Sequence, residues 1–222
     1  MFLTKLGHSC FRIEAGSTTL VLDPGGFSDP DALQGADAVL ITHEHADHVE
    51  PDRLRAAATA NPELEVWTSR TVAEQFADLG GRVHAVDDGD TFTVGPTSGG
   101  PEAGSLDIAV FGSEHACIHS DIPLIQNVGF FFPGALFHPG DALTIPDRQV
   151  DTLLAPAAAP WMKIAELVDW LRSVGPEQAY LMHDAILSEI GLGLTERVAG
   201  GLSPAAVSQL PNGQRIELPT SS

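Results

Sequence analysis

Within six residues the chain carries three histidines and an aspartate: His43, His45, Asp47 and His48, in the stretch Thr42-His43-Glu44-His45-Ala46-Asp47-His48. Imidazoles and carboxylates at this density are metal donors. A buried carboxylate with no partner is costly, or gives up its charge. The stretch follows Ala38-Val39-Leu40-Ile41, an apolar run that reads as a buried strand. In an extended segment residues two apart point the same way, so His43 and His45 can grip one ion together. Asp47 and His48 are adjacent, in the turn before Pro51, and point elsewhere, towards a second ion.

Three further apolar runs end on the same residue types: Phe111 before His115, Phe137 before His138 and Asp141, and Met182 before His183. If these strands lie side by side, their ends converge on one rim, where ligands gather in layered α/β folds. His115 then completes three imidazoles on the first ion, and His183 joins Asp47 and His48 on the second. Asp141, with two carboxylate oxygens, bridges both. Five histidines and two aspartates without a thiolate suit zinc, with manganese or iron as alternatives.

The elements that must position these donors alternate in type. Phe2–Leu6, Cys10–Glu14 and Thr18–Leu22 read as an antiparallel meander, closed by Asp23-Pro24-Gly25-Gly26. Glu50-Pro51-Asp52 opens a helix that Asn61-Pro62 stops, Glu65–Thr68 is a strand, and Ser69 caps a second helix through Leu79. Strands are expected at Arg82–Val86, Thr91–Val94, Leu106–Phe111, Val128–Phe132, Ala135–Phe137, Asp151–Ala155 and Ala179–Met182. Pro160–Val174 reads as an amphipathic helix, whose Trp161–Trp170 stretch is assigned to core or a dimer surface. A last helix runs through Ala199, followed by a loop and a short strand at Arg215–Leu218. Gly95–Gly104 is the candidate hinge between halves. The alternation is that of an α/β fold, and 222 residues fit a single domain, 1–222.

Composition narrows the function classes. The 11 basic residues stand against 30 acidic ones, a formal charge of −19, which argues against nucleic acid and anionic membrane as partners. A small-molecule substrate is expected instead, with a homo-oligomer possible. The two cysteines, Cys10 and Cys117, form no Cys-x-x-Cys pair and read as small packed residues in a reducing compartment. Residues 1–20 lack a signal-peptide pattern and no apolar run approaches 18 residues, so a cytoplasmic protein without membrane insertion is expected.

Thr42-His43-x-His45-x-Asp47-His48, with His115, Gly140-Asp141 and His183 after it, resembles the metallo-β-lactamase superfamily. Leu6-Gly7-His8-Ser9-Cys10-Phe11 and Leu22-Asp23-Pro24 make it similar to the small metal-dependent hydrolases related to L-ascorbate-6-phosphate lactonase and N-acyl-phosphatidylethanolamine phospholipase D. The resemblance runs from about residue 2 to residue 190. It implies a four-layer αβ/βα sandwich: two mixed β-sheets flanked by helices, with the metals on one edge between the sheets. It also implies His43, His45 and His115 on one metal, Asp47, His48 and His183 on the other, and Asp141 bridging.

Water held between two such ions would have its pKa brought towards roughly 7, and the hydroxide so formed would cleave an ester, lactone or phosphoester. Asp47 is the expected catalytic residue, orienting that water and shuttling its proton. Asp23, His8, His138 and His119 are expected to support ligands or touch substrate. Two other classes compete: an iron-dependent oxidoreductase or dioxygenase on the same fold, and a metal-binding member without turnover. An uncharged ester or lactone rivals a phosphorylated one as substrate, because Lys5, Arg12 and Arg53 have no evident reason to reach the rim.

Overall fold

The computed structural model describes residues 1–96 and 103–218. Much of the candidate hinge Gly95–Gly104 therefore lies outside the described residues. Among the described residues, fourteen strands are arranged in two seven-stranded sheets.

The first sheet holds β1 (Phe2–Lys5), β2 (Phe11–Ala15), β3 (Thr18–Leu22), β4 (Ala38–Ile41), β5 (Glu65–Thr68), β6 (Val83–Ala85) and β14 (Arg215–Glu217), in the order β14-β1-β2-β3-β4-β5-β6. The run β14-β1-β2-β3 is antiparallel, as the short turns of a meander require, and β3-β4-β5-β6 is parallel. The second sheet holds β7 (Thr91–Val94), β8 (Leu106–Phe111), β9 (Gly129–Phe132), β10 (Leu136–His138), β11 (Thr152–Pro156), β12 (Gln178–Met182) and β13 (Ala206–Gln209). Its order is β13-β12-β11-β10-β9-β8-β7, parallel from β13 to β10 and antiparallel from there to β7.

Three apolar cores separate four layers. The central one joins Leu3, Phe11, Leu20 and Leu40 of the first sheet to Ile108, Val110, Phe130 and Leu154 of the second. Outside the first sheet, Val39, Ile41 and Val66 pack on Leu54 and Ala58 of α1 (Pro51–Ala60) and Val72 of α2 (Arg70–Gln75). Outside the second sheet, Phe137, Leu153 and Ala179 pack on Leu167, Trp170 and Leu171 of α3 (Ile164–Val174) and Ala199 of α4 (Glu189–Leu202). Central strands covered on both faces read as continuous apolar runs, and β4 and β11 are buried at every position.

Several element boundaries differ from the sequence reading. The second helix ends at Gln75 rather than Leu79, and a 3₁₀ stretch over Ala77–Arg82 follows, bent at Gly80 with φ 67°. Ser69 makes no capping hydrogen bond there. α3 begins at Ile164, not Pro160, with Gly175 closing it in the left-handed conformation. Strand β13 was not anticipated: Ala-Val-Ser-Gln is a short, largely exposed edge with no alternating pattern to mark it. No helix among the described residues is long and apolar enough to cross a membrane.

Candidate metal centre

β4 delivers Thr42, whose amide donates to Asp23 Oδ1 at 2.8 Å and whose hydroxyl donates to Asp23 Oδ2 at 2.8 Å. Beyond Thr42 the chain turns: the amides of His48 and Val49 return to the His45 carbonyl at 2.9 and 3.0 Å. The motif is thus a folded loop rather than an extended segment. His43 Nε2 still lies 3.0 Å from His45 Nδ1. The second sheet brings His115 after β8, Asp141 three residues past β10 and His183 after β12.

The four candidate donor strands do not lie side by side, contrary to the sequence expectation. β4 belongs to one sheet and β8, β10 and β12 to the other. Their ends meet because the sheets face each other across the central core. The loops join directly there: Val128 donates to the Thr42 carbonyl at 3.1 Å.

Three groups of donor atoms each lie within 4.8 Å of one another: His43, His45 and His115; His8, Asp47, His48 and His183; and His43, His48 and Asp141. In the first group the ring centroids form a near-equilateral triangle of 4.7, 4.9 and 4.8 Å. Asp141 stands between groups, with Oδ2 3.5 Å from His115 Nε2 and 3.1 Å from His183 Nε2, and Oδ1 3.2 Å from His48 Nε2. Among the described residues His48 Nε2, His115 Nε2 and Asp141 Oδ1 are buried without a partner in hydrogen-bond geometry. They approach one another closely, yet point into a common space instead of pairing. Buried polar atoms rarely stay unsatisfied, and a cation in that space suits them all.

The outer ring nitrogens explain why the inner ones are bare. His115 Nδ1 donates to the Ala116 carbonyl at 2.6 Å, and His183 Nδ1 to the Ala158 carbonyl at 2.7 Å. His48 Nδ1 donates to Asp23 Oδ2 at 2.8 Å, and His43 Nδ1 to the Thr42 hydroxyl at 3.0 Å. Each ring donates through Nδ1 and turns Nε2 inward, the usual arrangement behind metal-ligating histidines. Asp23 is the hub of this support and also accepts from His138 Nε2 at 2.7 Å. His138, the last residue of β10, braces Asp23 from the second sheet.

Electrostatics divide the cluster. Burial lowers the His43 pKa, reinforced by the charge of His48, and burial with the charge of His115 lowers His45. These rings stay neutral. Burial works against the cation at His48 and His183 as well, but carboxylates outweigh it there. Asp141 and Asp23 raise His48, and Asp141 and Asp47 lift His183 to about 9. Burial opposes ionisation of Asp23, Asp47 and Asp141, yet the surrounding imidazoles hold all three below the usual carboxylate range.

Not every candidate joins the cluster. His119 is 63% exposed and engages Asp121 in its own loop, so the structure gives it no contact with the donors. Cys10 is buried, but Cys117 is exposed and not packed as the sequence suggested. The reading of the Trp161–Trp170 stretch as core holds for Leu167 and Trp170 but not for Trp161, whose Nε1 donates to Asp141 Oδ2 at 3.0 Å. Its position before an amphipathic helix hid it, because the pairing spans 20 residues. Asn127, equally unforeseen, orients the same loop by accepting the Asp141 amide at 3.0 Å and donating to the Pro139 carbonyl at 2.9 Å.

Beside the first triangle lies a recess of about 50 Å³, lined by His45, His115, Ala116, Ile118, Ile122, Pro123, Leu124 and Ile125. Its wall is apolar and carries no lysine or arginine. A larger hollow of about 440 Å³ between Pro30–Ala36 and α1 is lined by none of the clustered histidines.

Two mixed seven-stranded sheets with helices on both outer faces, and histidine and aspartate donors gathered where strand ends of the two sheets meet, define a metallo-β-lactamase fold. Residues 2–183 match the Beta-lactamase superfamily domain, and the chain belongs to that superfamily. It is 40% identical over 200 residues to Protein Rv0786c of Mycobacterium tuberculosis, covering 87% of this chain and 89% of that protein. It is 39% identical over 108 residues to the UPF0173 metal-dependent hydrolase Atu1317 of Agrobacterium fabrum, 42% of this chain and 46% of that one. Among solved structures, Igni18, a metallo hydrolase from Ignicoccus hospitalis, superposes with a TM-score of 0.72 at 18% identity, covering 97% of both chains.

Proposed function

We propose that the protein is a metal-dependent hydrolase acting on a small uncharged ester or lactone. The observation that carries the reading is that the buried Nε2 atoms of His48 and His115 have no hydrogen-bond partner although each ring is held from behind. Such a pocket is built for a cation. The name of the Agrobacterium relative, a metal-dependent hydrolase, agrees with it.

His43, His45 and His115 would hold one divalent ion. Asp47, His48 and His183 would hold a second, with Asp141 shared between them. The all-nitrogen and oxygen donor set fits zinc. Bound there, such ions supply Lewis acidity and bring the pKa of water close to neutral. Asp47 would handle the proton. Its Oδ2 meets His8 and His183, while its side chain remains 24% exposed, within reach of an incoming water. Asp141 is locked by Trp161 and Asn127 and serves to hold charge, not to move it. The apolar recess beside His45 and His115 favours a short uncharged group over a phosphate.

The test is elemental analysis of the purified protein, followed by hydrolysis of ester, lactone and phosphodiester panels by the zinc-loaded form. Ester or lactone turnover that disappears in both His45→Ala and Asp141→Ala is expected. Undiminished turnover in either variant would overturn the reading. Bound iron with oxygen uptake and no hydrolysis would replace it with the redox class.

A further inference from the structure

His8 sits among the candidate donors but obeys the opposite rule. In His43, His48, His115 and His183 the Nδ1 atom donates outward and Nε2 faces the other donors. In His8 the Nδ1 atom accepts, from the Ala185 amide at 3.2 Å. Its Nε2 lies 3.2 Å from Asp47 Oδ2. A neutral imidazole carries one ring proton. With the Nδ1 lone pair engaged by an N–H, that proton is on Nε2 and points at a carboxylate oxygen. Nε2 then has no lone pair to offer an ion.

We infer that His8 is not a fourth ligand but a positioning residue, whose Nε2–H donates to Asp47 and sets the distance between Asp47 and His183. The inference rests on the metal-site reading above and assigns His8 a role within it.

The mounting of His8 fits a fixed donor. The residue is buried, with its ring 4.1 Å from that of His183 and edge-on to Phe27 at 5.3 Å. It holds a left-handed backbone, φ 48°, after Gly7 at φ 102°. A side chain at Gly7 would meet the Phe27 carbonyl at 2.7 Å, so glycine is needed for the approach. The His8 carbonyl accepts the His183 amide at 3.2 Å. Three residues earlier, Lys5 Nζ donates to the Leu181 carbonyl at 3.1 Å and pairs with Asp184. Residues 5–8 therefore grip 181–185 at four points, and the His8 ring carries that grip across to Asp47. Asp47 follows a strand of the first sheet and Ala185 a strand of the second. One ring thus spans the gap between the two sheets' contributions to the same half of the centre.

Nitrogen-15 spectra of the imidazoles test this in the metal-free protein and after loading with cadmium-113. His8 is expected as the neutral Nε2–H form in both, without scalar coupling to cadmium, while His48 and His183 show coupling. Two variants add an independent readout. His8→Gln keeps an N–H donor at the same reach, and His8→Leu removes it. In His8→Leu the cadmium affinity of the half containing His48 and His183 should fall by roughly 10- to 100-fold, the usual effect of losing a partner behind a ligand. His8→Gln should recover most of that loss. Retained coupling at His43 and His115 in both variants shows that the fold is intact. An Nδ1–H tautomer at His8, cadmium coupling to it, or equal losses in the two variants would overturn the inference. If cadmium couples to none of the cluster, the metal reading itself fails. The His8 tautomer, read without metal, then decides the hydrogen bond alone.

Discussion

At the residue scale, the cluster is organised by what stands behind each ring. Asp23 accepts from Thr42, His48 and His138 at once, with both oxygens engaged. An amide can offer only one acceptor oxygen there. Asp23→Asn should therefore free the His48 ring and weaken binding of one metal equivalent by roughly 10- to 100-fold, measured by competition with a chromophoric chelator.

Protonation gives a second prediction at this scale. In the metal-free protein His48 is raised and His183 lies at about 9, so both are charged near neutral pH, whereas a ligand imidazole must be neutral. Metal binding at pH 7.5 should release protons, read by calorimetry in buffers of different ionisation enthalpy, and affinity should climb as pH rises towards about 9. Stability of the metal-free protein follows the same groups. The raised imidazoles stabilise fully below the ordinary value of 6.5, and their contribution is lost as pH rises through about 9. The depressed carboxylates stabilise fully above their ordinary 3.8, and lose that contribution as acid protonates them. The lowered imidazoles of His43 and His45 work the other way, losing stability as pH falls below 6.5, so thermal melts with chelator present should be best near that value and decline on the alkaline side. Added zinc should remove the alkaline decline.

At the scale of elements, turns place the donors. The Asp23–Gly26 turn after β3 lies directly on the motif loop: the Gly26 amide donates to the Ala46 carbonyl at 2.7 Å, and the Glu50 amide to the Pro24 carbonyl at 3.2 Å. A Cβ at Gly25 would collide with the backbone of Asp47 and His48. Gly25→Ala should cost about 1–3 kcal/mol by overpacking, seen in urea unfolding. It should also reduce metal content, because the displaced atoms belong to donor residues. On the other side, Gly140 at φ 64° turns the chain so that Asp141 faces inward, with Thr42 and Asn127 packed where a side chain would be.

At the scale of the whole molecule, the centre exists only where two sheets meet. Lys5, 1% exposed and near the end of β1, is one of the ties, bonded to Leu181 and Asp184 beside the end of β12. Burial lowers its pKa, and the Asp184 carboxylate works to keep it charged. Lys5→Met leaves that carboxylate without its partner and should destabilise the fold by up to about 3–5 kcal/mol. Chemical denaturation of this variant and of Lys5→Met/Asp184→Asn reads the effect. The double variant should regain part of the loss, since no charge is then left behind.

The local chemistry was legible in the chain. Apolar runs such as Ala38–Ile41 announced buried strands, Pro51 and Asn61 bounded α1 as expected, and five histidines with two aspartates announced metal-type donors. These signals are carried by neighbours in sequence, through period, propensity and spacing. What lay beyond them depends on contacts between distant residues. The sequence could not show that β4 faces β8, β10 and β12 across a core instead of lying beside them, nor that Trp161 and Asn127 hold Asp141. It set His8 apart from the seven donors, as support or substrate contact, but could not show which atoms His8 engages. All of these rings have the same chemistry, and only the tertiary fold decides which nitrogen meets a carbonyl, an amide or a carboxylate.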